Sequence, residues 1–130
     1  MFVQINLISH QLIPNAIPTL AWRNNTVKVF LIVAGSTFNQ SSQQLVKFYN
    51  KNGIKNVEVI KTESPNDFHE LRKLATKLFD RIKVEFPNDE IVFNATGGTK
   101  PMSLAFYRQF DQPNEKSLAI YVDTDANRII

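Results

Sequence analysis

Cysteine is absent from the 130 residues, which excludes disulfides, thiolate chemistry and cysteine-held zinc. Histidine is nearly absent too: His10 and His69 stand far apart, so no histidine-based metal cluster is expected. No run approaches the roughly 20 consecutive apolar residues of a membrane span, and the start lacks the basic stretch and apolar run of a signal peptide. The chain therefore reads as soluble, cytoplasmic and free of membrane contact. An excess of one charge is also missing. With 15 basic and 12 acidic residues the net charge is +3, and the lysines are scattered among acids. That balance permits an anionic ligand without implying broad nucleic-acid binding.

What is present is 43% apolar residues, enough to bury one substantial core, and a length that suits one domain spanning residues 1–130. No repeat, low-complexity tract or linker divides it.

Short apolar segments read as strands: Phe2 to Ile8, Val27 to Ala34, Asn56 to Lys61, Glu90 to Ala95 and Ser117 to Asp123. Asn127 to Ile130 (NRII) is a candidate antiparallel edge strand after a turn at Asp125 and Ala126. Helices are expected at Asn15 to Arg23, Ser36 to Asn52, Asp67 to Phe86 and Pro101 to Phe110. The third is the clearest: Phe68, Leu71, Ala75, Leu78 and Ile82 follow three- and four-residue spacing, with charged residues elsewhere. Gly53 sits where a helix C-terminal glycine belongs. Strands alternating with helices predict a doubly wound α/β fold. Its five parallel strands run in the order 3-2-1-4-5, with right-handed crossovers and helices on both faces.

In such sheets ligands sit beyond the carboxyl ends of the strands, where strand order reverses. The loops after the first and fourth strands would face one another there. The fourth-strand loop, NATGGTK from Asn94 to Lys100, is the most informative. Gly97 and Gly98 let backbone N–H groups approach a ligand at a helix start, Thr96 and Thr99 offer hydroxyls, and Lys100 offers a charge. The plain structural alternative is a glycine turn with Thr99 capping the helix and Lys100 in solvent.

Neither the P-loop spacing G-x-x-x-x-G-K-S/T nor G-x-G-x-x-G occurs, which disfavours ATP hydrolysis and dinucleotide chemistry. No cofactor is called for. Ser9, His10 and Gln11 follow the first strand and suit recognition of phosphate, ribose or base edges. For His10 alone a plain loop role is favoured, since no carboxylate partners it. Ser36 and Thr37 could add hydroxyls at the mouth but also make good helix starters, and Asp123 to Asp125 read better as a turn. Trp22, Phe30, Phe79 and Phe93 read as core.

NATGGTKPM, Asn94 to Met102, resembles the N-x-T-G-G-T-K-x-M signature of CARF domains, the CRISPR-associated Rossmann fold. INLISHQLIPN, Ile5 to Asn15, is similar to their first strand and loop, and YVDTDANRI to their fifth strand and closing hairpin. The likeness spans essentially the whole chain. It implies a two-fold homodimer that binds cyclic oligoadenylate, commonly cyclic tetra-adenylate, across its interface in type III CRISPR antiviral signalling. By motif position, phosphate and ribose contacts fall to Gly97, Gly98, Thr99 and Lys100. First-strand loop contacts fall to Ser9, His10 and Gln11, and Met102 lines the pocket or interface.

Such domains precede nuclease effectors, whereas this chain stops at Ile130, so an effector would be a fused or separate partner. A second reading is a ring nuclease. In it a ribose 2′-hydroxyl attacks the neighbouring phosphate without metal, Lys100 and the loop amides stabilise charge, and His10 or Ser9 assists. DNA binding is not expected, because no helix-turn-helix follows and basic charge is not clustered.

Overall fold

The computed structural model describes residues 1–8, 19–34, 41–64, 66–120, 122–123 and 128–129. Its centre is strand β1 (Phe2–Ile8), in which every residue from Val3 to Ile8 is buried. Burial on both sides is what a central parallel strand requires, and it takes Gln4 and Asn6 into the interior together with the apolar residues that alternate with them. β2 (Thr26–Ala34) and β3 (Val57–Thr62) lie to one side of β1, and β4 (Glu90–Asn94) and β5 (Ser117–Ile120) to the other. The order is β3-β2-β1-β4-β5 and all four pairings are parallel, as the sequence leads one to expect.

Period-two alternation sorts the strand side chains onto two faces. Val3, Ile5 and Leu7 of β1 join Phe30 and Ile32 of β2 in one apolar cluster, while Ile8, Val29, Leu31 and Val33 belong to the other. Helix α1 (Ser41–Lys51) covers the second face through Leu45 and Tyr49. Helices α2 (Phe68–Glu85) and α3 (Lys100–Phe110) cover the first, through Leu71, Ala75 and Ile82 and through Met102, Phe106 and Phe110. Helices therefore flank the sheet on both faces. Phe93, Phe106 and Phe110 pack together with centroids 5.9 to 6.0 Å apart, and Phe79 meets Phe110 edge-on at 5.5 Å. Phe30, Phe79 and Phe93 are core residues as expected, and Trp22 rests half-buried against Phe2 at 5.7 Å.

The helix ends follow from their sequences. Asp67 caps α2 by accepting from the Glu70 N–H at 3.2 Å. Gly53, at φ +92°, closes α1: its N–H reaches Asn50 O at 3.3 Å, and the Ile54 N–H reaches Tyr49 O at 2.9 Å. This paired arrangement satisfies the last carbonyls and tucks Ile54 against Tyr49 in the core. Of the helix expected at Asn15 to Arg23, residues 19–21 are helical and Arg23–Asn25 form a 3-10 turn. Its first part, like residues 36–40 of the second expected helix, lies outside the described residues.

The described residues of the expected strand Ser117 to Asp123 are extended but take two different partners, Ser117–Ile120 lying along β4. β4 ends at Asn94, opposite Ile120, where the chain turns into the loop, so the fifth strand has no parallel neighbour beyond that point. Val122–Asp123 (β6) instead pairs antiparallel with Arg128–Ile129 (β7). The candidate edge strand at the chain end is therefore half of a two-stranded ribbon, not a sixth member of the main sheet. Among the described residues no helix is long and apolar enough to cross a membrane.

Candidate functional site

The chain leaves β1 toward β2 on one side, while β4 lies on the other, so the switch point falls between the carboxyl ends of β1 and β4. The loop Ala95 to Thr99 starts at that point and runs directly into α3. It is braced from several directions. Asn94, buried at the end of β4, accepts the Thr96 N–H on its Oδ1 at 3.0 Å, which turns the backbone off the strand. Thr99 caps α3 by accepting the Met102 N–H on Oγ1 at 3.3 Å, so the structural part expected of Thr99 is realised. From the first turn of α3, the Ser103 hydroxyl reaches back to Gly97 O at 3.0 Å and Ala95 O at 3.4 Å.

At Gly98 the loop passes close against Leu7 of β1. Its φ is +84°, and a Cβ there would lie 3.0 Å from Leu7 Cβ, 3.1 Å from Leu7 Cδ1 and 3.4 Å from Met102 Cβ. Only glycine tolerates both that backbone conformation and that approach. Met102, expected at the pocket or interface, is fully buried in the core beneath Gly98. As the third residue of an amphipathic helix its side chain turns toward the sheet, beneath the loop.

The backbone N–H groups of Gly97, Gly98 and Lys100 have no acceptor among the described residues. They sit at the positive end of α3, beside the exposed Lys100 side chain, which forms no ion pair among the described residues. Unpaired amides, a helix start and an uncompensated ammonium are the elements of an anion site. The structure thus brings Thr96, Gly97, Gly98, Thr99 and Lys100 together at the switch point. Ser9, His10, Gln11 and Ser36 lie outside the described residues, as do Thr37, Thr124 and Asp125.

Two features of this end of the sheet escape sequence reasoning. One is Ser103, whose place four residues after Thr99 returns its hydroxyl to the loop. The other is a buried polar cluster on the α1 side. Asn6 of β1, in register with Asn94, donates from Nδ2 to Thr19 Oγ1 at 2.8 Å and to the Tyr49 hydroxyl at 3.3 Å. Burial pushes the Tyr49 phenol up to about 12, against the opposing pull of its bonds to Thr19 and Asn6. The available signal is Asn6 itself, which with Gln4 is one of two amides set among the apolar residues of a central strand.

Strand order, switch point and an amide-lined loop opening a helix define a Rossmann-like α/β domain able to accept an anionic ligand. The chain belongs to the Card1 CARF domain family, whose model matches residues 3–130. Among solved structures it is similar to Can2 from Sulfobacillus thermosulfidooxidans in complex with cyclic tetra-adenylate. Identity there is 27% with a TM-score of 0.75, covering 100% of this chain and 34% of that one. Two further structures share the fold. Enterococcus italicus Csm6 bound to cyclic hexa-2′-fluoro-hexa-dAMP is 21% identical, TM-score 0.77, covering 98% of this chain and 34% of Csm6. Protein VC1899 from Vibrio cholerae is 17% identical, TM-score 0.83, covering 98% and 32%. No curated protein matches the chain.

Proposed function

We propose that this domain is a sensor that binds cyclic oligoadenylate, cyclic tetra-adenylate foremost, in a pocket shared by two copies of the chain. The observation that carries the reading is the loop at the switch point, where the N–H groups of Gly97, Gly98 and Lys100 find no acceptor among the described residues and lie beside the Lys100 side chain. In this reading the loop takes phosphate and ribose through Gly97, Gly98, Thr99 and Lys100, with Thr96 adding a hydroxyl. Ser9, His10, Gln11 and Ser36 supply the contacts from the neighbouring loops.

The similarity to a Can2 structure that holds cyclic tetra-adenylate supports the choice of ligand. The two-fold arrangement follows from symmetry. A ring of four identical nucleotides offers equivalent phosphates on opposite sides, and two copies of the loop related by a two-fold axis meet them equally. Two positive helix starts and two lysines then concentrate positive charge where it is needed, although the chain carries only +3 overall. The solved relatives are about three times as long, and the bound state is passed to an effector, fused or separate, in the cytoplasm.

Isothermal titration with cyclic tetra-adenylate, combined with sedimentation, tests this reading. The expected result is one ring per two chains. Absence of heat and of thermal shift with rings of every size overturns it. Chromatography of the ring after prolonged incubation distinguishes a holder from a ring nuclease.

A further inference from the structure

We propose that Ser103 is a positioning residue that aims the Gly98 amide at the ligand, an inference that rests on the reading of the site given above. The Ser103 Oγ–H donates to the Gly97 carbonyl at 3.0 Å, with the Ala95 carbonyl at 3.4 Å as a secondary acceptor. The Gly97 carbonyl and the Gly98 N–H belong to one planar trans peptide and point in opposite directions. Holding the carbonyl toward α3 therefore fixes the N–H pointing away from it.

The peptide needs such a hold. Glycines on both sides make rotation of this plane easy, and a flipped plane presents a carbonyl oxygen where the ligand brings phosphate oxygens. Two peptides earlier, the Ala95–Thr96 plane is already fixed, since the Thr96 N–H is bound to Asn94 Oδ1. Gly98 is held from below by Leu7. The Gly97–Gly98 peptide lies between these two fixed points, and Ser103 supplies its restraint.

The test uses the full chain and cyclic tetra-adenylate, titrated well below the melting temperature. Ser103→Ala is expected to bind about ten-fold more weakly, the effect of one lost hydrogen bond. The Gly98 amide signal in the ligand-free 1H–15N spectrum is expected to shift or broaden. Ser103→Thr, which keeps the hydroxyl, restores both. Ser103→Cys, close in shape but a weak donor, repeats the test should the alanine variant fold poorly. Equal affinity in wild type and variants overturns the role of Ser103. So does weaker binding with an unchanged Gly98 amide, which would mark Ser103 as a general support only. A wild-type chain that takes up no ring overturns instead the reading of the site.

Discussion

Gly98 stands against Leu7 so closely that a Cβ on the glycine would lie 3.0 Å from the leucine Cβ, with the backbone already at φ +84°. Gly98→Ala meets both obstacles, left-handed strain and a contact with β1. It is expected to lower stability by about 2 to 4 kcal/mol. Gly53→Ala isolates the first obstacle, because φ is +92° there but nothing lies within 4 Å. Its cost is expected to be about 1 kcal/mol. Urea unfolding of both variants checks the difference, and equal losses would show that Leu7 yields freely.

Thr99 and Lys100 are adjacent but separable. Thr99→Ala removes the cap on the Met102 N–H and is expected to cost about 1 kcal/mol of stability. Lys100→Ala removes an exposed side chain with no structural partner among the described residues, so the melting temperature should hold. Binding of cyclic tetra-adenylate should instead fall about ten- to hundred-fold, as for a charged hydrogen bond. Added salt should narrow the gap between wild type and Lys100→Ala. Calorimetric titration at two salt concentrations reads both effects.

The fold was largely legible because its signals are local. β-branched runs give the strands, the spacing of Leu71, Ala75, Leu78 and Ile82 gives α2, and Gly53 marks the end of α1. The change of partner beyond Ile120 was not, because an apolar run carries no mark of where its neighbour β4 stops. The anion loop was legible from GGTK at a helix start. The inward turn of Met102 follows from helix phase relative to the sheet, which only the packed structure fixes. The bond of Asn6 to Tyr49 joins residues 43 positions apart, so no single window of sequence contains it, whereas that of Ser103 to Gly97 spans only six and depends on how the loop turns into α3.

Glu58 on β3 gives the structure a dependence on acid. Arg81 of α2 binds its carboxylate through two contacts of 2.6 and 2.7 Å, and Lys28 approaches to 3.3 Å. The Arg81 hydrogen bonds are the main cause that holds Glu58 down at about 2, below its ordinary value of 4.5. A depressed carboxyl stabilises the fold above the unfolded value and loses that contribution as pH falls from 4.5 toward 2. Because the side chain remains 34% exposed, solvent screening limits the effect to about 1 kcal/mol. Glu58→Gln should therefore be less stable than wild type at pH 7, with the difference closing below pH 4.5. Denaturant titrations across that range check it.

At the other end of the pH scale the buried Tyr49 phenol dominates. Its hydroxyl accepts from Asn6 inside a fully buried cluster, and burial pushes its value from 10.0 up to about 12. Between those values the unfolded chain gives up the phenolic proton while the folded chain keeps it. Stability is thus fully present below pH 10 and declines as pH rises toward 12. Tyr49→Phe removes this dependence but leaves the Asn6 amide one acceptor short, which is expected to cost about 1 to 2 kcal/mol at neutral pH. The two stability curves should converge as pH climbs from 10 to 12. Parallel curves over that interval, measured by denaturant unfolding, would place the titrating phenol elsewhere in the chain.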